Sequence, residues 1–331
     1  MKNNFIHEKK QKIQNKFQSQ LKTVYPFIKG IPSSSNWSNH FTSLIFPGGK
    51  YLIYISNSFI IVLDLVKKKF SQTLSSHKIS QKDKPTNLLL INNEKFLSIL
   101  SSGEIIVFKL NDDGNFYEDL NTNKLSRVFQ NTKCGIFDCQ QNILILSNEN
   151  TITSYVFQYG DTYNLYKIYE IDNINNKEYF ITDMIFIEIE SFTYLSVSNN
   201  IGNIIIYKYD LTKYVQLLLI NNHKKENIYN IIYDKYKNLL FSINKSGTLD
   251  IYQLTMDKNM NLGNSKIISL TNKFNDQTIN EFYLYFSISL INNSSNILVT
   301  SNNGRIFIYN YEHNDFKEVA ENPHKNSIYS I

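Results

Sequence analysis

The chain has 331 residues, of which 42% are hydrophobic and 14% aromatic, and its net charge is +5. Aromatic and β-branched side chains suit a pleated, half-buried surface, so this composition favours a β-rich globular protein. Residues 1–22 hold six of the 34 basic and one of the 29 acidic residues, which leaves 28 of each sign in residues 23–331. A groove that follows a phosphate backbone needs basic side chains along the folded body, and this neutral body argues against one.

No apolar run approaches the roughly 18–20 residues of a membrane span, and the N-terminus lacks the apolar core of a secretory signal. We therefore expect a soluble intracellular protein, cytoplasmic or nuclear. Cys134 and Cys139 lie five positions apart in an apparent strand, so their side chains should point to opposite faces. This parity argues against a shared metal ion or a local disulfide.

The first 35 residues are predicted to form a basic extension before a domain at 36–331. Apolar residues at spacings of seven, four and four form one stripe of a predicted amphipathic helix, with lysines around it. The simplest interpretation is a short helix or solvated tail packed on the domain. A partner-docking helix is the functional alternative, and contact with nucleic acid or a membrane surface is a further one. The candidate partner-binding residues are Ile6, Lys9, Lys10, Ile13, Lys16, Phe17 and Leu21.

A short strand pattern then returns six times, each copy with a turn residue, apolar or β-branched residues and one bulky residue at a fixed place. The copies are Ser58–Leu63, Gly103–Phe108, Asn150–Tyr155, Gly202–Tyr207, Gly247–Tyr252 and Gly304–Tyr309. Their bulky residues are separated by 45, 47, 52, 45 and 57 positions. This period is close to the roughly 40–50 residues of a β-propeller blade.

Further apolar stretches before each copy predict the other strands of a blade. A middle strand is predicted at 50–57, 95–102, 142–147, 194–198, 239–243 and 296–301, and innermost strands at 41–46, 87–91, 183–187 and 228–233. The expected fold is an all-β propeller with six recognisable blades, a partial seventh blade and a short N-terminal helix. The seventh blade would draw on Ser327–Ile331 and Leu21–Ile31. A longer gene product and a six-bladed ring with differently paired ends are the alternatives.

The repeats resemble those of the WD-repeat β-propeller family, whose repeat has a His after the outermost strand and a Trp-Asp pair closing the third. His40, His77, His223 and His324 fall where that His is expected. The Trp position holds Leu63, Phe108, Tyr155, Tyr207, Tyr252 and Tyr309, and Asp64 alone matches the acid of the pair. The turn Asp is replaced as well, by Ser102, Ile201, Ser246 and Asn303. The resemblance covers residues 40–331 and implies structural histidines, with blades held together by apolar packing.

Few residue patterns in the sequence indicate a catalytic, metal-binding or phosphate-binding site. Glu188 and Glu190 share a predicted strand face, which is typical of a solvated face and only weakly suggests acid–base work. No His has metal-ligand spacing, and the glycines form no phosphate loop, so we expect no enzyme, metal, cofactor or small-molecule substrate. The abundance of Asn and Lys resembles the bias of an AT-rich genome, and we take no functional meaning from it.

The functional hypothesis is a non-catalytic scaffold that mediates protein–protein interactions as a subunit of a larger intracellular assembly. The alternative is an RNA-associated propeller subunit of an RNA-processing, mRNA-export or tRNA-modification complex, with RNA contacting the basic N-terminal segment. A propeller enzyme is supported by analogy of fold alone.

Overall fold

The structure is a computed structural model. It describes residues 43–56, 59–74, 79, 83–120, 132–148, 151–158, 163–172, 180–190, 192–210, 213–221, 226–257, 261–271, 285–290, 294–301 and 306–320. The predicted N-terminal helix, the two segments assigned to a seventh blade and the four family-like histidines lie outside these residues. The described part of the chain contains no helix long and apolar enough to cross a bilayer.

The described residues form twenty-four strands in six sheets of four strands each. Blade 1 contains β1 Ser43–Ile45, β2 Tyr51–Ser56, β3 Phe59–Asp64 and β4 Lys69–Leu74; blade 2 contains β5 Pro85–Leu90, β6 Lys95–Leu100, β7 Ile105–Leu110 and β8 Phe116–Glu118; blade 3 contains β9 Cys134–Asp138, β10 Ile143–Ser147, β11 Thr151–Gln158 and β12 Asn164–Asp172. Blade 4 contains β13 Ile181–Ile189, β14 Phe192–Asn199, β15 Asn203–Asp210 and β16 Lys213–Asn221; blade 5 contains β17 Ile228–Asp234, β18 Leu239–Asn244, β19 Thr248–Met256 and β20 Leu262–Thr271; blade 6 contains β21 Tyr285–Leu290, β22 Asn296–Ser301, β23 Ile306–Asn310 and β24 Asp315–Ala320.

Every blade is an antiparallel meander whose strands pair in chain order. The first strands of blades 1 to 6 contact one another in series, so they are the innermost strands. The six recurring patterns all fall on third strands, as the sequence predicts. The chain is therefore an all-β propeller with six blades.

Five apolar cores join each blade to the next. The recurring bulky residue of blades 2 to 6 enters the core shared with the preceding blade: Phe108, Tyr155, Tyr207, Tyr252 and Tyr309. All five are buried, as is Leu63 at the same place in blade 1. The predicted equivalence of these positions is confirmed. In blades 2 to 6 the bulky side chain points towards the preceding blade, so it packs one blade against the next.

Short turns depend on side chains that accept backbone hydrogen bonds. The Oδ1 of Asp64 accepts from the Lys67 amide at 2.7 Å, and the Oδ1 of Asn244 accepts from the Thr248 amide at 2.9 Å. These are the local hydrogen bonds for which Asp and Asn are favoured in turns. A 3-10 turn spans Pro47–Gly49 between β1 and β2, where Gly48 has φ 82°. This turn connects β1 to its antiparallel partner β2.

Candidate interaction surface

Side-chain hydrogen bonds, which we call polar ties, hold the blades together in addition to their apolar cores. In blade 2, Asp83 precedes the innermost strand and accepts hydrogen bonds from the amide of Ser102 at 2.8 Å and its hydroxyl at 2.5 Å. The hydroxyl of Ser101 donates to the same carboxylate at 3.0 Å. The turn after the second strand is thus fixed to the start of the innermost strand. Apolar packing alone, which the sequence suggested, is therefore an incomplete account.

Other ties run between neighbouring blades. The Gln72 amide bridges to blade 2, since its Nε2 donates to the carbonyl of Phe116 at 2.6 Å and its Oε1 accepts from the Phe116 amide at 2.9 Å. The Tyr311 hydroxyl of blade 6 donates to Asp234 of blade 5 at 2.7 Å. Similar hydrogen bonds join Asn87 to Gly135, Cys134 to Thr182, and Asp183 to Asn230 and Ile231. Each of the five joined interfaces therefore combines apolar packing with at least one directional contact.

Buried tyrosines between the blades serve packing rather than proton transfer. Burial raises the pKa of Tyr155 and of Tyr309 from 10 to about 12. Desolvation disfavours the charged phenolate, so both rings stay neutral throughout the physiological range. Tyr163 donates to Asp119 at 2.7 Å and accepts from Lys95 at 2.7 Å, which fixes its hydroxyl between two blades. These two hydrogen bonds join blade 3 to blade 2 beside their shared apolar core.

The sequence-predicted site residues have different outcomes. Seven of them lie outside the described residues: Ile6, Lys9, Lys10, Ile13, Lys16, Phe17 and Leu21. Glu188 is exposed in β13, whereas Glu190 is exposed in the following turn with φ 48°. Cys134 is buried and Cys139 exposed, and both are free thiols. Across the described ranges, no group of three or more His, Cys, Asp or Glu side chains could hold a metal ion.

Blade 1 has a second apolar face that turns away from blade 2. The register places Ile45 opposite Leu52, Leu52 opposite Leu63, and Leu63 opposite Phe70. Cross-strand partners share a face, so these four side chains form one row across the whole sheet. The corresponding row of blade 2 contains Leu90, Phe96 and Phe108, which belong to the core shared with blade 1. We call the face of blade 1 that carries this row the outward face.

The outward face is only partly covered. Ile45 is 63% exposed and Phe59, at the start of β3, is 53% exposed. Blade 1 carries four of the eleven exposed large hydrophobic side chains found among the described residues: Ile45, Phe59, Val66 and Phe70. Exposed apolar side chains grouped on one element are typical of an interaction site. Within the described part of the chain, no buried cluster joins blade 6 to blade 1.

A basic turn borders this row. Val66, Lys67 and Lys68 lie between β3 and β4, and Lys69 begins β4 directly beside Phe70. Val66 is 73% exposed and the three lysines are exposed as well. The turn adjoins the one after β1, because the Leu65 amide donates to the carbonyl of Lys50 at 2.8 Å. Residues 43–74 contain four lysines and one buried aspartate, so this blade has a net charge of +3 in a neutral body.

None of the residues predicted to bind a partner lies on this surface, although two features of the sequence mark it. A visible signal is the column position of blade 1, which holds an aliphatic Leu63 where the other blades have rings. Another is the Val-Lys-Lys-Lys run at 66–69, which is easily mistaken for compositional bias. A turn of one hydrophobic and three basic residues directly beside a strand is a surface feature whatever its origin.

Comparisons with known proteins show the fold. No protein-family model matches the chain. The DNA-directed RNA polymerase subunit beta'' of Plasmodium falciparum (isolate 3D7) is 28% identical over 202 residues, covering 52% of this chain. The alignment covers 21% of that protein, so the chain spans about a fifth of its length.

Three solved structures are similar to this chain. The β-propeller domain of Cps50 (Swd1) from Myceliophteria thermophila has a TM-score of 0.61 at 10% identity, covering 88% of this chain and 87% of that one. A putative 6-phosphogluconolactonase from Bacteroides uniformis has a TM-score of 0.60 at 13% identity, covering 84% and 83%. A protein from Lactobacillus plantarum has a TM-score of 0.60 at 11% identity, covering 84% and 80%. With the six described sheets, these likenesses show that the chain is a β-propeller.

Proposed function

We propose that this chain is a non-catalytic scaffold of the WD-repeat type, which mediates protein–protein interactions within a larger intracellular assembly. The observation that carries the proposal is the group of four exposed apolar side chains on blade 1, Ile45, Phe59, Val66 and Phe70, beside the turn with Lys67, Lys68 and Lys69. Exposed apolar side chains beside a cluster of one charge are typical of a surface that binds another macromolecule. The six-bladed fold and the family resemblance of its repeats support the same interpretation.

The domain organisation belongs to the same proposal. Residues 36–331 would form the propeller and residues 1–35 a basic extension that presents Ile6, Lys9, Lys10, Ile13, Lys16, Phe17 and Leu21 to a second partner. The assembly would be cytoplasmic or nuclear.

The test is affinity purification of the full-length chain, tagged at its own expression level, followed by quantitative mass spectrometry with and without RNase. We expect one set of proteins in fixed stoichiometry, unchanged by RNase. Loss of every partner after RNase would support the RNA-associated alternative instead. Recovery of the chain alone would contradict the scaffold proposal.

A separate assay addresses the structural similarity to a propeller of the 6-phosphogluconolactonase type. Purified full-length chain should hydrolyse 6-phosphogluconolactone no faster than buffer does. A rate proportional to the concentration of the chain, with saturation by substrate, would contradict the non-catalytic proposal.

A further inference from the structure

We propose that the outermost strand of blade 4, β16, pairs antiparallel with β16 of a second copy of this chain and so forms a symmetric dimer. Strand β16 is the last strand of its sheet, and within the described part of the chain no further strand pairs with it. Its outer edge presents backbone N–H and C=O groups that can pair with another strand. The inference goes beyond the proposed scaffold function, because it concerns contact between two copies of the scaffold.

The side chains of β16 are largely apolar although the strand lies at an exposed edge. Val215 is 42% exposed and Leu219 is 41% exposed, and Leu217 and Leu218 beside them are half-buried. The strand is nine residues long, and its only charged residue is Lys213, at the first position. A long apolar edge strand without charges inside it is a site at which another strand can add to the sheet.

The outermost strands of the other blades differ from β16 in this respect. Charged side chains lie inside three of them: Lys167 and Glu170 in β12, Lys266 in β20, and Lys317 and Glu318 in β24. The β8 strand has only three residues, and β4 carries Ser71, Gln72 and Thr73 at its centre. Charges inside a strand and short length are ordinary means by which proteins prevent pairing at a sheet edge. Blade 4 therefore has the edge best suited to pairing.

A bulge limits the part of β16 that can pair. The register of β15 and β16 shifts between Ile206 and Tyr207, which leaves Leu217 as the extra residue of a bulge. A bulge interrupts an edge, so the regular part of the strand is Leu217–Asn221. Two identical antiparallel strands related by a twofold axis are centred on one residue, and the middle of this part is Leu219.

This register matches apolar side chains on both faces of the joined sheet. Leu219 lies opposite its own counterpart, and Leu218 lies opposite the counterpart of Ile220, since cross-strand partners share a face. Leu218 and Ile220 belong to the face that packs towards blade 5. Lys213 is outside the paired part, so like charges do not meet. The two bodies also do not repel each other, because residues 23–331 hold 28 basic and 28 acidic residues.

The sequence favours a second copy over the chain's own remaining segments. Leu217–Ile220 is a run of four consecutive aliphatic residues, and a matching strand needs a similar run. The segments outside the described ranges contain no such run. A second copy supplies the same run in the opposite direction. The other edge of this sheet is β13, an innermost strand, so the assembly stops at two copies.

The contact is small, and we expect a dimer that exchanges with its monomer. A ladder of five residues buries less than the roughly 1,200–2,000 Å² of a stable interface, which predicts a dissociation constant of about 1–100 µM. Sedimentation equilibrium of the full-length protein measures this constant. A single monomeric species at about 500 µM would overturn the proposal, as would continued growth to species larger than a dimer.

Charges introduced at Leu219 test the symmetric register. Leu219→Lys alone and Leu219→Glu alone each place like charges opposite each other, so each should weaken self-association at least about tenfold. An equimolar mixture of the two variants should associate at least about fivefold more tightly than either variant alone, because lysine then faces glutamate. If the mixture associates no better than the single variants, the register is wrong and the proposal fails.

A milder variant and a matched pair of controls complete the experiment. Leu219→Thr keeps a β-branched side chain in the strand and should weaken the dimer at least about threefold. Tyr166→Lys and Tyr166→Glu are the controls, since Tyr166 is 53% exposed on the outermost strand of blade 3. They should leave the dissociation constant within about twofold. Equal weakening by substitutions at both positions, or a dimer that no Leu219 variant weakens, would contradict the proposal.

Discussion

The replacement of Gly135 by alanine tests how closely blades 2 and 3 pack. A Cβ atom at this position would lie 2.7 Å from Cδ1 of Ile99, 3.2 Å from Cδ2 of Leu146 and 3.4 Å from Cδ1 of Leu89. Carbon atoms in contact prefer about 3.5–4.0 Å, so the methyl group displaces at least Ile99. Gly135 lies in β9 and needs no left-handed backbone, so the cost comes from the overlap.

We expect Gly135→Ala to lower the free energy of unfolding by about 1–2 kcal/mol. Overpacking of a filled core costs about 1–3 kcal/mol, and the lower flexibility of the unfolded chain offsets about 0.4–1 kcal/mol of it. The Gly135 amide also donates to Oδ1 of Asn87 at 3.0 Å, so any shift of β9 weakens that hydrogen bond. Urea denaturation of full-length protein, followed by circular dichroism, measures the change.

A double-mutant cycle separates overlap from other causes. Ile99→Val removes the Cδ1 atom and alone costs about 0.5–1.5 kcal/mol. In the double variant we expect a loss about 1 kcal/mol smaller than the sum of the two single losses. Gly263→Ala is the control, since its Cβ would meet the Thr255 hydroxyl at 3.3 Å and no apolar atom. Strict additivity, or equal losses for both glycines, would refute the packing described for this interface.

The remaining predictions concern a hydrogen bond, a buried hydroxyl and pH. Gln72→Glu should cost about 1–3 kcal/mol in urea denaturation, because a carboxylate cannot donate to the carbonyl of Phe116; a loss below about 0.5 kcal/mol would contradict the bridge. Ser196→Ala should be neutral or stabilising in the same assay, because the buried Ser196 hydroxyl has no hydrogen-bond partner among the described residues. A loss of stability above about 1 kcal/mol would show that the hydroxyl does have a partner. Stability should be complete below pH 10 and fall as pH rises from 10 towards 12, because the unfolded chain releases the protons of Tyr155 and Tyr309 first. Tyrosinate absorbance should therefore rise together with unfolding, and an unfolding midpoint that stays constant above pH 10 would be the contrary result.

The strands were predictable because the same pattern of buried side chains is needed in every blade. Each third strand follows a turn and is packed against neighbouring blades. It therefore needs a turn residue, then a few β-branched residues, and then a bulky side chain. Tyr207, Tyr252 and Tyr309 satisfy this demand at one shared position, and all three are buried. The identity of the third strands and the equivalence of their bulky residues could therefore be inferred from spacing.

The polar ties could not be predicted, because they join residues far apart in the chain. Gln72 and Phe116 are separated by 44 positions, and Asp234 and Tyr311 by 77. No local pattern marks a glutamine that bridges two outer strands. Composition also misled us about asparagine, because Asn244 closes a turn by accepting the Thr248 amide. A residue favoured by genome bias can still be selected at positions that need its side chain.

The outward face of blade 1 shows how a repeat can predict that a sheet face is covered. Every later column residue faces the preceding blade, whereas Leu63 lies on the face of blade 1 that turns away from blade 2. Its row is nevertheless apolar from Ile45 to Leu63, as the rows of internal blades are. A face that had no partner would be expected to carry polar side chains, since exposed apolar rows promote aggregation. The pattern therefore favours a covered face, and the burial of Leu63 agrees with it.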